Sequence, residues 1–360
     1  MNQVSPAKAE PKKIWPKKIW NVAVVGAGLG RAHIETGYEV HRDKFRVLAL
    51  CDPDEGLLRE VGDSFDIPRR VASLEEALAM ADVDIVDISA PLDSRAGCII
   101  AALEAGKHVV CEMPFAGPLA GTDRVIAAEA MSKGWVMPIL PHRFGDGVQR
   151  AKRIIDSGIA GKPWLATVET FWKPAPTEKT TPRRGQTTTE PAGVLVSHAL
   201  HNHDLLTFLM GDVETVHAQT RARANQIGVD DCVVAALVMR SGALASCSAT
   251  PTPHDEYGRL RLTFENVVFE FESRPDQPGK ARWTVTPASS EIESWINAEL
   301  ADWTPIHPGF DGQLKPFHEA LTTGGPMPAT LDDARRSGEL IAAIQRSAET
   351  NAAAYLNRLQ

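Results

Sequence analysis

Ile19-Trp20-Asn21-Val22-Ala23-Val24-Val25-Gly26-Ala27-Gly28-Leu29-Gly30-Arg31 is the stretch whose reading decides the fold. Its first seven residues form a short apolar, β-branched run, the composition of a buried parallel strand. The run stops at Gly26, and the residues after Arg31 predict a helix over 32–41. Gly26 and Gly28, between strand and helix, suit close backbone approach to a pyrophosphate at a helix N-terminus. Gly26, Gly28, Leu29, Gly30 and Arg31 are therefore candidate phosphate-side residues. A second strand, over 46–51, ends at Asp52. A carboxylate about 25 residues past the glycines can accept bonds from an adenosine ribose diol and repel a 2'-phosphate. This favours NAD as cofactor, while Arg31, a guanidinium close to the phosphates, leaves NADP open. Arg31 also stands where the glycine fingerprint ends in glycine or alanine.

Working outward, strand signals recur over 83–88 and 108–111, with helical segments over 74–81 and 95–105. Strands alternating with helices predict a parallel, doubly wound Rossmann sheet. The 360 residues are enough for two cores, since single cores stop growing near roughly 250–300 residues. The expected division is a basic tail over 1–17, a dinucleotide-binding domain over 18–142 and a second domain over 143–360. A net charge of -8 argues against nucleic acid or an anionic membrane as partner. No stretch approaches the roughly 18 apolar residues of a membrane span. The first twenty residues are basic, broken by Pro6, Pro11 and Pro16, and lack the apolar core of a secretory signal. A cytoplasmic location is expected, and the five scattered cysteines, with no CxxC pair, read as thiols in a reducing compartment.

Further motifs follow in order: Asp52-Pro53, Ser89-Ala90-Pro91, the run from Ala102 through Gly106-Lys107-His108 to Glu112, and His201-x-x-Asp204. Together with the glycine turn, this series resembles the glucose–fructose oxidoreductase/inositol dehydrogenase (Gfo/Idh/MocA) family. The resemblance runs from about residue 18 to the C-terminal helix. It implies a Rossmann domain followed by an α/β domain with a large, mostly antiparallel open sheet. One face of that sheet often forms a homo-oligomer interface and the other the substrate pocket. It further implies NAD(P)-dependent chemistry on the carbinols of sugars, cyclitols and related polyols. Ser89, Pro91 and Glu112 are then cofactor-side residues. Met113 stands where the resemblance implies a lysine bonded to the reacting hydroxyl, and a thioether neither donates nor accepts well. Losing such a bond costs about 1.5–3 kcal/mol, roughly one to two decades in rate. Leu92 and Arg95 likewise replace an expected asparagine and histidine.

The second half predicts a helix over 148–157, a turn over 158–163 and a strand over 164–172. A Pro/Thr-rich stretch over 173–191 carries Arg183 and Arg184, which could clamp an oxygen-rich substrate or simply face solvent. The segment Ser197-His198-Ala199-Leu200-His201-Asn202-His203-Asp204 is rich in histidine. By resemblance His201 is the acid–base, a task its ordinary pKa suits, and Asp204 is the aspartate that follows. Ser197 occupies the place of an expected aspartate, so the usual Asp–His partnership is absent. His201, Asp204 and Ser197 are the candidate catalytic residues; Met113, Arg143, Trp172, Arg184 and His198 are the candidate substrate-side residues. His198, His201 and Asp204 also form a helical stripe whose spacing would suit a two-His, one-carboxylate metal site. His203 points roughly 140° away from His198. No metal is assigned. Strands are expected over 213–220, 232–239, 243–248, 260–264 and 267–271, successively antiparallel, and a terminal helix over 331–350.

The reading is an oxidoreductase that moves a hydride between a bound nicotinamide and a small polyhydroxylated substrate. Two alternatives remain: a net non-redox enzyme that oxidises its substrate transiently, and a dinucleotide-binding sensor without catalysis.

Overall fold

The opening run becomes β1 (Trp20–Val25), a central strand of a six-stranded parallel sheet. Its partners are β2 (Phe45–Cys51), β3 (Arg69–Val71), β4 (Ile85–Ile88), β5 (His108–Cys111) and β6 (Val136–Pro138), in the order β3-β2-β1-β4-β5-β6. The structure, a computed structural model, describes residues 19–115, 119–172, 193–223, 230–251, 256–274 and 279–356. Every residue of β4 and β5 is buried, and apart from Asp87 and His108 these strands are apolar runs. Strand order reverses between β1 and β4, and such a switch point opens a crevice beyond the strands' carboxyl ends.

The helix expected over 32–41 begins earlier, as α1 (Ala27–His33), and runs into a π-helical turn at Ile34–Tyr38. The reason is local: Gly26 is left-handed at φ 95° and ends the strand, and the Gly30 amide bonds Gly26 O at 2.9 Å. The glycine stretch is thus itself the first helical turn. Four more helices complete the unit: α2 (Glu55–Ser64), α3 (Leu74–Leu78), α4 (Leu92–Glu104) and α5 (Leu119–Met131). Asp54 caps α2 by accepting from the Gly56 and Leu57 amides.

A second sheet of eight strands has the order β13-β12-β11-β7-β10-β9-β8-β14. Its strands are β7 (Pro163–Trp172), β8 (Val213–Arg221), β9 (Cys232–Met239), β10 (Leu244–Pro251), β11 (Tyr257–Phe264), β12 (Val267–Ser273), β13 (Arg282–Pro287) and β14 (Ala354–Tyr355). Hairpins turn at Gly242, between β9 and β10, and at Asn266, between β11 and β12. One pairing departs from the expected antiparallel series: β10 lies parallel to β7. The intervening segment carries the chain away and back, which adjacency in sequence does not reveal. The helices of this half are α6 (Asp146–Asp156), α7 (Leu200–Met210), α8 (Ser290–Glu299), α9 (Gly309–Thr323) and α10 (Leu331–Thr350). Trp283 falls on β13 and Trp295 on α8.

By its contacts the chain divides into two units. The first holds the described residues to Phe115, Ala120–Ile139 and a returning segment, Leu314–Leu331. The second holds the described residues between Leu140 and Gln313 and those from Asp332. The returning segment belongs to the first unit through packing such as Phe317 stacked on Phe45, centroids 6.2 Å apart. Among the described residues, no helix is long and apolar enough to cross a membrane. The tail over 1–17 lies outside the described residues.

Candidate active site

In the first unit, the strand ends and the glycine turn build one crevice. The Gly26 amide bonds Cys51 O, and a Cβ on Gly26 would meet Ser89 O at 2.7 Å. A Cβ on Gly30 would lie 2.4 Å from Val24 Cγ1. Gly28 differs, since a Cβ there would meet nothing within 4 Å. Two glycines therefore close the turn against the sheet, and the third keeps open the space above the first helical turn. That space suits a pyrophosphate, whose oxygens need bare amides at close range. Asp52 sits at the end of β2, its Oδ2 accepting from the Ala27 amide at 2.8 Å and its Oδ1 from the Asp54 amide at 2.9 Å. Leu29 is exposed, and Arg31 pairs with Glu60 at 2.8 Å on the surface.

Beneath the turn lies a network that the sequence reading missed. His33, at the end of α1, faces both oxygens of Asp87 with Nδ1 (3.0 and 3.1 Å) and Glu112 Oε1 with Nε2 (2.8 Å). Tyr38 donates to Asp87 Oδ2 at 2.8 Å, and Ser89 Oγ lies 3.3 Å from His33 Nδ1. Burial works against a charged imidazole, but the Asp87 and Glu112 carboxylates more than reverse it, and the His33 pKa rises to about 10. The signal was Asp87 itself: a carboxylate inside the buried strand Ile85-Val86-Asp87-Ile88 demands a buried partner.

The Met113 amide donates to Glu112 Oε2 at 3.2 Å, and the Met113 side chain is buried. Arg95, unexplained in the sequence, donates to Ala90 O (2.7 Å) and Pro114 O (2.9 Å), bracing the loops that follow β4 and β5. Pro91 is exposed at the N-cap of α4.

The second unit holds the histidine helix. Asp204 forms a two-pronged pair with Arg143, Nε and Nη2 each 2.6 Å from a carboxylate oxygen, and Ser337 Oγ adds a bond at 3.2 Å. Arg143 Nη1 also reaches Asp333 at 3.0 Å, and its guanidinium lies 4.6 Å from the Phe208 ring centroid. Burial lowers the Arg143 pKa and the two carboxylates raise it, with a net rise. With both oxygens on Arg143, Asp204 is a poor ligand for a metal on the helical stripe. Among the described residues, no group of three or more His, Cys, Asp or Glu side chains could hold a metal ion. Arg143 is 3% exposed and occupied by carboxylates, so its geometry is that of a support beneath the site.

Above this pair, three rings stack. His142 lies 5.1 Å from His201 at 15° and 6.0 Å from Trp172 at 24°, centroid to centroid. His142 is buried, and burial together with the neighbouring His201 lowers its pKa to about 3. It therefore stays neutral, and its Nδ1 has no hydrogen-bond partner among the described residues. His203 is also buried, with its pKa lowered to about 4 by burial. Asn202 donates to Thr170 Oγ1 at 2.8 Å, pinning α7 to β7. His201 alone of this set is partly exposed. Arg183 and Arg184, and the side chains of Ser197 and His198, lie outside the described residues.

A glycine-turn Rossmann sheet and a separate eight-stranded open sheet define a dinucleotide-binding, two-domain α/β protein. Residues 20–139 match the family model "Oxidoreductase family, NAD-binding Rossmann fold" and residues 148–270 match "GFO/IDH/MocA C-terminal domain". The chain belongs to the GFO/IDH/MocA family of NAD-binding oxidoreductases. It is similar to the uncharacterized oxidoreductase YrbE of Bacillus subtilis (strain 168), 24% identical over 90% of this chain and 93% of that protein. It is also similar to a 1,5-anhydro-D-fructose reductase of Ensifer adhaerens, 28% identical over 81% and 85%. Among solved structures, the WlbA dehydrogenase from Bordetella pertussis, in complex with NADH and UDP-GlcNAcA, matches with a TM-score of 0.83. That likeness covers 96% of this chain and 99% of that one at 23% identity, and it is a likeness of fold.

Proposed function

We propose that the chain catalyses hydride transfer between NAD(H) and a carbinol or carbonyl carbon of a small sugar-like or cyclitol substrate, with His201 as acid–base. Relatives named for acting on 1,5-anhydro-D-fructose and myo-inositol support this substrate class. The observation that carries the role of His201 is its exposure: it is the one partly exposed group in a cluster where His142, His203, Asn202 and Asp204 are all buried. When bound, NAD supplies the acceptor for the hydride. The glycine turn binds its pyrophosphate, and Asp52 selects the ribose diol, with Arg31 held by Glu60 rather than offered to a 2'-phosphate. In the oxidative direction His201 takes the hydroxyl proton, and in the reductive direction it returns it. His201 Nδ1 is buried, which leaves Nε2 as the proton-carrying atom. The Met113 thioether cannot hold that proton, so its handling falls to the imidazole. Arg143 supports α7 through Asp204, and Trp172 with His142 walls the imidazole.

The test is absorbance at 340 nm with 1,5-anhydro-D-fructose plus NADH and with myo-inositol plus NAD. His201→Ala is expected to lower turnover by at least about 100-fold with NADH affinity unchanged. Retained turnover would remove His201 from the mechanism. Turnover without net change in NADH would replace this reading with a non-redox one.

The exposed face of the second sheet carries Leu165, Val234 and Leu244, each about half exposed or more. Their registers place Leu165 beside Leu244 on one face, with Val234 on the same side. We propose that two copies of the chain meet there. Sedimentation should find an oligomer that Val234→Glu dissociates; a wild-type monomer would contradict it.

A further inference from the structure

We propose that His33, held as an imidazolium between Asp87 and Glu112, is a positioning residue of the dinucleotide site that fixes the Glu112 carboxylate at the crevice. The inference rests on the reading that the glycine turn seats NAD. Each ring nitrogen lies within 3.1 Å of a carboxylate oxygen, Nδ1 against Asp87 and Nε2 against Glu112. A carboxylate only accepts, so each nitrogen must donate, and only the doubly protonated ring donates from both. A neutral tautomer would aim a lone pair at an oxygen on one side.

Three elements meet at this ring. His33 closes the helix that begins in the glycine turn, Asp87 belongs to β4, and Glu112 follows β5. Asp87 and Ser89, from β4 and its following loop, and Glu112, from the end of β5, face the ring, and Tyr38 from the π-helical turn donates to Asp87. The bridge therefore spans the switch point, tying the pyrophosphate side to the strand end that carries Met113. Side-chain exposure is 6% for His33, 0% for Asp87 and 17% for Glu112. Without the cation, the Asp87 and Glu112 carboxylates would face one position from two sides with no positive charge between them, which disfavours both staying ionised and in place. Glu112, the more exposed of the two, is the carboxylate expected to shift. Arg95 braces the same two loops through backbone carbonyls, so the loop path itself would persist and the loss would centre on the carboxylate.

Two measurements on the full chain test this. In protein labelled with 15N-histidine, the His33 ring is expected to show both nitrogens protonated at pH 8 and to shift when NADH is added. A neutral ring at pH 8, or a ring indifferent to bound NADH, overturns the proposal. In fluorescence titrations with NADH, His33→Gln is expected to bind about tenfold more weakly or worse, the cost of a charged hydrogen bond. Adding Asp87→Asn to His33→Gln is expected to recover most of that loss, because one of the two opposed charges is gone. Unchanged affinity in the single variant, or no recovery in the double, makes His33 a packing residue and overturns the proposal. If wild-type protein binds no NADH, the cofactor reading fails, and the ring's protonation at pH 8 still decides whether the charged bridge exists.

Discussion

At the scale of single residues, the proposed mechanism gives the histidines at 142 and 201 different parts. Burial and the neighbouring His201 keep the stacked His142 ring neutral. His142 then acts as a wall that sets the plane of His201, where the sequence offers Ser197 instead of an orienting carboxylate. On this account His142→Phe keeps the wall and turnover within about threefold, whereas His142→Ala lowers kcat about tenfold with KM unchanged, as loss of a ring contact would. Steady-state kinetics of the two variants check this; equal losses would make the ring nitrogen, not the stacking, the important feature. His142 was not legible because its partners, Trp172 and His201, are distant in sequence. His201 was singled out by the family resemblance, at its spacing to Asp204. Arg143 was singled out for substrate, but its burial with Asp204 and Asp333 shows that residue type alone does not separate a clamp from a support.

Among elements, the sheet of the first unit was readable because buried parallel strands are continuous apolar runs. Short strands such as Arg69–Val71 and Val136–Pro138 were not, since three residues carry no periodicity. The early start of α1 escaped notice because glycines have weak helix propensity, and a single bond from Gly30 to Gly26 overrides it. The bridge at the end of that helix has a consequence for stability. The His33 pKa is raised from 6.5 to about 10, so the folded chain keeps a proton that the unfolded chain releases. Its contribution is full below pH 6.5 and is lost as pH rises toward 10. Between pH 6.5 and 10 the wild-type Tm is therefore expected to fall more than that of His33→Gln. Parallel curves in thermal melts would contradict the charged bridge. In the second unit, Arg143→Ala leaves Asp204 buried without its cation and should cost about 3–5 kcal/mol in urea unfolding. A loss under about 1 kcal/mol would mean that the pair is hydrated.

On the scale of the whole molecule, one unit carries the glycine turn and the other the histidine helix. The order of motifs revealed both parts. The resemblance also implies that the closing elements, the stretch from Phe317 to Leu321 and the terminal helix, return near the first domain; Leu314–Leu331 belongs to the first unit, where Phe317 stacks on Phe45, while the residues from Asp332 belong to the second. The central claim is that the glycine turn seats the dinucleotide, and Gly28 offers the sharpest probe. A Cβ there would meet nothing within 4 Å, so Gly28→Leu is expected to keep the fold and to place its side chain in the space above the turn. The decisive measurement is NADH titration of wild type and Gly28→Leu, with thermal melts of both. The account predicts tight binding to the wild type, none to the variant, and matching Tm values. Equal NADH affinity in both proteins would contradict it.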